Sequence, residues 1–154
     1  MEIALRHTLA TLAYRAAKAV NDAPESFGDF KASEKSRTPG EILAHMGDLF
    51  DWALSLAEGR QEWHDSKPLP WGEESARFFN ALGAFDTFLA SGKALEFPAD
   101  RLFQGPIADA LTHTGQLTFL RGMVGARVRP ENYFKASIKA GCVGSNQAVP
   151  KMEF

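Results

Sequence analysis

Residues 107–124 read IADALTHTGQLTFLRGMV and have the periodicity of a helix that buries one apolar face. At about 100° per residue, Asp109 and His113 project from the same side as Leu117 and Leu120, within an arc of roughly 80°. Two titratable side chains therefore lie on the stripe that should be buried. A charge removed from water is costly unless it is paired or binds a metal, so both residues need a partner in the interior.

The chain has 154 residues, which suits one domain with a single core, and we expect one domain over residues 1–154. Its apolar runs are far shorter than the roughly 20 residues that span a bilayer, and its beginning lacks a signal-peptide core. We therefore expect a cytoplasmic protein with no membrane partner. The one cysteine, Cys142, lies in a Gly-rich tail, agrees with a reducing compartment and is not expected to be a catalytic thiol.

The net charge is −2, and it is unevenly distributed. The segment from Arg121 onward contains two acidic residues, Glu131 and Glu153, and six basic ones: Arg121, Arg127, Arg129, Lys135, Lys139 and Lys151. This asymmetry favours a partner or a ligand of negative charge. The basic residues are too few and too scattered to predict a nucleic-acid partner, which needs a clustered basic face.

Apolar residues at helical spacing predict four main helices. They are expected at residues 2–20, at residues 39–58 with a stop at Gly59, at residues 72–90, and from about Gly105 and Pro106 to about Gly125. A shorter helix is expected at residues 131–140, followed by an irregular tail. No segment alternates like a β-strand, so the pattern predicts an all-α bundle.

The second helix begins with a recognisable signal. Thr38, Pro39 and Glu41 form the sequence of a capping box with proline at the first helical position. Capping explains Glu41 fully, although it precedes His45 by four residues and is also within reach of a site there. His45 lies on the apolar side of this helix, and the opposite side is expected to be solvated through Asp48, Asp51, Ser55 and Glu58.

The third helix and the loop before it contain most of the remaining aromatic residues. On the helix, core packing is the expected role of residues at helical spacing: Phe78, Leu82, Phe85 and Leu89. The loop GRQEWHDSKPLPWGEE contains Trp63, His64 and Trp71 and is of the length that often covers a site. His64 is either solvated or close enough to contact a site that this loop covers.

Three polar residues interrupt apolar faces in the same way: His45 on the second helix, and Asp109 and His113 on the fourth. Imidazole and carboxylate bind Zn²⁺, Fe²⁺ or Ni²⁺, and residues at i and i+4 of a helix can bind one ion together. A neighbouring helix can supply a third ligand, and three protein ligands leave a position open, as in catalytic zinc sites. The alternative is a set of satisfied core side chains, in which Asp109 and His113 form a hydrogen bond.

Other residues of the fourth helix have two interpretations each. Gln116 either fixes the imidazole of His113 from outside or forms a hydrogen bond at a helix interface. A run of small residues either packs closely on another helix or forms a dimer contact: Thr112, Gly115, Thr118 and Gly122. We expect a homodimer.

Three stretches resemble the DinB/YfiT-like superfamily of metal-binding four-helix-bundle proteins. They are TPGEILAHMGDLFDWAL around His45, DALTHTGQLTFLRGMVG around His113, and the tail NYFKASIKAGCVG. The resemblance covers most of the chain in the same order and spacing. It implies an up-down four-helix bundle, here with a short additional C-terminal helix.

The resemblance also implies a divalent metal, held by a histidine of the second helix and two residues four apart on a later helix. These positions correspond to His45, Asp109 and His113, where Asp109 replaces the commonest ligand, a histidine. Aspartate adds negative charge and a hard oxygen ligand, so Zn, Ni and Fe all stay candidates.

Characterised members of the superfamily include S-transferases that use low-molecular-weight thiols such as bacillithiol, mycothiol or glutathione, and a thiol-dependent maleylpyruvate isomerase. The resemblance therefore implies a metal-dependent thiol S-transferase with a small thiol and an electrophile as its partners. A metal ion with an open position can bind a thiol as the nucleophilic thiolate. The alternative is a bundle that binds a metal or a small ligand without catalysis.

Overall fold

The computed structural model describes residues 2–154, and these form helices, turns and loops without a β-strand. The helices are α1 (Glu2–Val20), α2 (Pro39–Ala57), α3 (Trp71–Ala90), the single turn α4 (Ala99–Leu102) and α5 (Ala108–Met123). The all-α class predicted from periodicity is therefore confirmed over the described part of the chain. None of the helices within residues 2–154 is long and apolar enough to cross a membrane.

The four long helices share one hydrophobic core. Leu12 of α1, Phe50 of α2, Phe85 of α3 and Leu117 of α5 are each fully buried in it. The apolar residues predicted for the core side of α3 are all buried, as expected: Phe78, Leu82, Phe85 and Leu89. Burial of one such side chain stabilises the fold by roughly 1.5–3 kcal/mol, so the shared core fixes the helices relative to one another.

Helix α2 begins as predicted. The Thr38 hydroxyl accepts a hydrogen bond from the Glu41 backbone N–H at 3.1 Å, and the Glu41 carboxylate accepts one from the Thr38 N–H at 2.7 Å. The helix ends at Ala57, and Gly59 follows in the left-handed region with φ +82°, a conformation that glycine adopts without steric cost.

One face of α2 differs from the prediction. Asp48 and Ser55 were expected on the solvated side, but their exposed fractions are only 2% and 3%. The loop between α2 and α3 folds back over this face and supplies hydrogen-bond partners, such as the Ser66 N–H for Asp48 and the Glu62 N–H for Ser55. Periodicity places a residue on a face, but it does not reveal that a distant loop will cover that face.

Helix α3 begins at Trp71, which was expected in the loop. The indole is 5% exposed, packs edge to face on Phe27 with ring centroids 5.0 Å apart, and donates to the Val20 carbonyl at 3.3 Å. Pro70 precedes it as the N-cap residue. Trp71 therefore joins the start of α3 to the end of α1.

The last long helix begins earlier than predicted. Proline was expected in its first turn at Pro106, but the helical segment already begins at Ala99 and passes through a π-helical turn, Phe103–Ile107, before α5. Proline has no N–H and crowds the preceding turn, and the wider π-helical turn accommodates it inside the segment. The helix ends at Met123, two residues before Gly125.

The prediction of a short C-terminal helix at residues 131–140 is wrong. Only Tyr133–Lys135 form a single 3₁₀ turn, and Ala136 is already extended. The Asn132 side chain accepts from the Phe134 N–H and replaces a helical bond, while the Phe134 side chain is 96% exposed and offers no apolar face for a helix to bury. The irregular tail is as predicted, and Val143 packs against the core.

Candidate metal centre

The three polar residues predicted to form one site do come together. His45 Nε2 lies 3.2 Å from one carboxylate oxygen of Asp109, and His113 Nε2 lies 3.3 Å from the other. The two imidazole rings are nearly perpendicular, with centroids 4.9 Å apart. One ligand atom from each residue lies within 4.8 Å of the other two. The side chains converge on a single point between α2 and α5.

Burial differs among the three side chains. The exposed fractions are 18% for His45 and 11% for His113, against 44% for Asp109. The imidazoles are therefore largely enclosed by the protein, and the carboxylate is on the open side of the site.

Gln116 controls the ring orientation of His113. Its side-chain oxygen lies 2.7 Å from His113 Nδ1, so both ring nitrogens of His113 face oxygen acceptors. A neutral imidazole donates from one nitrogen only, and a donor at Nδ1 leaves a lone pair at Nε2 directed towards Asp109 and His45. A metal ion at Nε2 would use this lone pair while Nδ1 donates to Gln116.

Trp63 packs against His45 and is itself supported by Trp52. The Trp63 ring lies edge to face with the His45 ring at 5.6 Å and with the Trp52 ring at 5.8 Å. Trp63 belongs to the loop between α2 and α3, which was predicted to cover a site. The loop thus places an aromatic wall on one side of the candidate centre.

A buried carboxylate anchors this loop. Asp48 accepts hydrogen bonds from the Ser66 N–H at 2.8 Å and from the Ser66 hydroxyl at 2.7 Å, and it lies 3.1 Å from His64 Nδ1. His64 Nε2 lies 3.2 Å from Asp51. His64 therefore does not meet the first site, but joins a second group of possible ligands that the sequence did not reveal, Asp48, Asp51 and His64.

Arg77 makes this second group an ion-pair network. Its guanidinium donates to Asp48, to Glu74 at 2.9 Å and to the Ala44 carbonyl at 3.0 Å. Burial by itself would lower the pKa of Arg77, but the hydrogen bonds and charges of Glu74 and Asp48 outweigh it and raise the pKa. A fixed positive charge beside Asp48 opposes a divalent ion there, so the first group is the better metal site.

Two cavities adjoin the candidate centre at successive positions along α5. The larger has a volume of about 730 Å³ and is bounded in part by His113. The smaller, of about 440 Å³, is bounded in part by Asp109. Thr112 lines both. A group held at the centre is therefore next to two separate spaces.

Three further sequence predictions have clear outcomes. Glu41 caps its own helix through Thr38, as expected. Gln116 bonds to an imidazole and not across a helix interface. The small residues Gly115 and Gly122 do not pack on another helix of this chain, since a Cβ at either position would meet no described atom within 4 Å. A dimer contact on this face stays a prediction.

No protein-family model, curated protein or solved structure matches the chain. The DinB/YfiT-like resemblance of the three sequence motifs therefore stays a prediction. The function is inferred from the chemistry of the site itself.

Proposed function

We propose that the protein is a DinB/YfiT-like up-down four-helix bundle that binds a divalent metal, Zn, Ni or Fe, through His45, Asp109 and His113. We further propose that this site activates a low-molecular-weight thiol for S-transfer to an electrophile. The observation that supports the proposal is the convergence of two imidazole Nε2 atoms on one carboxylate, with the other nitrogen of His113 held by Gln116.

The donor set suits such an ion. Ligand atoms bound to a tetrahedral ion at about 2.0–2.1 Å lie roughly 3.3 Å apart, and the two nitrogen–oxygen separations are 3.2 and 3.3 Å. The same separations suit hydrogen bonds to protonated imidazoles, so metal analysis decides between these interpretations. Two nitrogens and one oxygen leave at least one coordination position open, which is typical of catalytic sites.

The protein side chains would prepare the site for the reaction. An ion with an open position would supply a place where a thiol binds as its nucleophilic thiolate. Gln116 keeps His113 Nε2 directed inward, and the Trp63 ring packs edge to face beside His45. The two adjoining cavities leave room for the body of the thiol and for the electrophile.

Metal content tests the ligand assignment. Protein purified without a metal column should contain about one equivalent of Zn, Ni or Fe by mass spectrometry, or take it up from solution. His45→Ala, Asp109→Asn and His113→Ala should each lose 10–100-fold or more in affinity, by analogy with the roughly 10–100-fold effects of residues that merely support ligands. His7→Ala is the matched control, because His7 is an exposed histidine of α1.

Two outcomes would contradict the assignment. A wild-type protein that neither contains nor takes up a divalent ion would show that the three residues form a closed polar cluster. Equal loss of metal in His7→Ala would show adventitious binding to surface histidines.

The thiol part of the proposal is tested on the cobalt-substituted protein. Glutathione, bacillithiol or mycothiol should change the visible spectrum of the cobalt ion if its sulfur binds there. A metal-loaded protein whose spectrum no thiol changes would contradict the transferase. It would favour the alternative of metal or small-ligand binding without catalysis.

A further inference from the structure

We infer that the larger cavity beside His113 binds a small carboxylate with an apolar body, and that Arg37 pairs with its carboxylate group. The cavity lies between α5 and the beginning of α2 together with the segment before it. Its volume of about 730 Å³ is within the range of roughly 300–1,000 Å³ typical of small-molecule sites.

The walls of this cavity are mainly apolar. Ile42 and Leu120 are buried side chains that contribute to it, and Phe119 stands at its edge with 72% of its surface exposed. Exposed apolar surface of this kind gains free energy when a ligand covers it. The apolar walls favour a ligand body without many polar groups, unlike the polar bodies of the common small thiols.

Arg37 gives the cavity its charge. It lines the cavity, is exposed, and makes no hydrogen bond or ion pair with any residue that the structure describes. Other arginines are already engaged: Arg6 pairs with Asp86 at 2.9 Å, and Arg121 donates to backbone carbonyls. A guanidinium binds a carboxylate through two parallel hydrogen bonds.

The cavity lining contains no aspartate or glutamate within the described residues. An anionic ligand is therefore attracted by Arg37 without a lining carboxylate to repel it. Because His113 bounds the same cavity, such a ligand would be the electrophile of the S-transfer. That identification rests on the proposed function, whereas binding of the carboxylate does not.

The test uses 4-phenylbutyrate as the probe and neutral 4-phenylbutanol as its comparison. Binding of each compound is measured from amide chemical shifts in an NMR titration. The acid should bind more tightly than the alcohol and should shift the amides of Gly115, Gln116 and Phe119. Arg37→Gln should weaken binding of the acid by about tenfold, the effect of one good charge-assisted contact, and leave binding of the alcohol unchanged. Lys35→Gln is the matched control, since Lys35 is an exposed cation outside the cavity.

A second pair of variants tests the location. Gly115 lines the cavity and Gly122 does not, yet both are exposed residues of α5 where an added Cβ meets no described atom within 4 Å. Gly115→Leu should fill part of the cavity and abolish binding of 4-phenylbutyrate. Gly122→Leu should leave it within about twofold of wild type.

The inference is wrong if the acid and the alcohol bind equally, if Arg37→Gln has no effect, or if only glutathione binding depends on Arg37. It is also wrong if the chain sediments as a dimer whose interface covers Phe119 and excludes the probe. The titrations are made on protein as purified and again after treatment with a chelator. Binding through Arg37 that persists after the chelator would support the cavity site independently of the metal. A protein that holds no metal as purified and takes none up from solution, but still binds the acid through Arg37, would contradict the proposed metal function alone.

Discussion

Asp109 is the residue on which the character of the candidate centre depends most. Each of its carboxylate oxygens faces one imidazole nitrogen, and its side chain is the most exposed of the three. The carboxylate therefore balances part of the charge of a bound ion while solvent or a ligand reaches the open side. Hard oxygen ligands favour harder ions than imidazole does, so this position influences which metal the site selects.

Gly47 illustrates how a single missing side chain permits a buried ion pair. A Cβ at this position would lie 2.6 Å from Nη1 of Arg77, the atom that donates to the Ala44 carbonyl. Gly47→Ala should therefore displace the guanidinium at a cost of about 1–2 kcal/mol for the broken hydrogen bond. The better helix propensity of alanine offsets about 0.5–1 kcal/mol of this cost, so the expected net effect is a small destabilisation. The measurement is the free energy of unfolding from urea denaturation.

Gly83→Ala is the matched control for this prediction. Gly83 lies inside α3, and an added Cβ there would meet no described atom within 4 Å. Alanine should stabilise the helix at this position by about 0.5–1 kcal/mol through its better propensity. Equal stabilisation by Gly47→Ala would show that Arg77 does not need the space.

At the scale of the elements, Arg121 joins the ends of two helices. Its guanidinium donates to the carbonyls of Ala19 and Asn21 at the end of α1 and to that of Ala126 after α5, at 2.8–3.0 Å. The residue is 6% exposed, and burial lowers its pKa. A cation at a helix C-terminus also interacts favourably with the helix dipole.

Replacement of Arg121 by methionine should destabilise the protein by about 2–4 kcal/mol, because it keeps the buried stem but leaves three carbonyls without a donor. Thermal and urea unfolding measure the change. Arg127→Met, at an exposed position, should stay within about 0.5 kcal/mol of wild type. Similar losses in both variants would mean that the carbonyls find other partners.

The sequence predicted those elements that depend on local signals. The apolar spacing of α1, the capping box of α2 and the core residues of α3 all have the structure expected of them. The π-helical turn at Pro106 and the loss of the helix at residues 131–140 depend on competition between local bonds and distant packing. Periodicity does not contain that information.

The candidate centre was predictable for a related reason. His45, Asp109 and His113 each interrupt an apolar face, and a regular helix gives such interruptions a direction in space. The network of Asp48 and His64 was missed because His64 lies in a loop without a period. Arg77, which donates to Asp48, comes from a different helix, 29 residues further along the chain.

At the scale of the whole molecule, Glu131 attaches the C-terminal tail to α1. Its side chain accepts hydrogen bonds from the Tyr14 hydroxyl at 2.7 Å and from Lys18 at 2.9 Å. Lys18 also pairs with Glu153 at 3.0 Å, beside the bridge that joins Glu131 to Glu153. The tail is therefore held to the helices by a buried charged network, although it contains little regular structure.

This network should make the fold sensitive to alkaline pH. Burial and the hydrogen bond to Glu131 raise the pKa of Tyr14 well above its ordinary value. Burial alone would lower the pKa of Lys18, but its bonds to Glu131 and Glu153 outweigh this and raise it. Both groups thus bind their protons more tightly in the folded protein than in the unfolded chain.

The resulting stability is fully present below the ordinary pKa values of about 10 and is lost as the pH rises through the higher values of the folded state. The free energy of unfolding of the wild type should therefore begin to fall near about pH 10 and keep falling as the pH rises further. Tyr14→Phe should lower the free energy of unfolding by about 1–3 kcal/mol near neutral pH, because it removes a hydrogen bond to a buried carboxylate. At alkaline pH the free energy of unfolding of this variant should fall less steeply than that of the wild type. Urea titrations at several pH values measure both effects.

Tyr133→Phe is the matched control, because Tyr133 packs edge to face on Tyr14 and would keep its ring. It should retain the alkaline decline of the wild type, and its tyrosinate absorbance should rise only at a pH well above the ordinary range, since Tyr14 is then the one tyrosine of the chain. A normal titration of Tyr14 in this variant would mean that the phenol is not bonded to Glu131 in solution. An unchanged alkaline decline in Tyr14→Phe would assign the effect to Lys18 alone, and the tail would then be held mainly by its ion pairs.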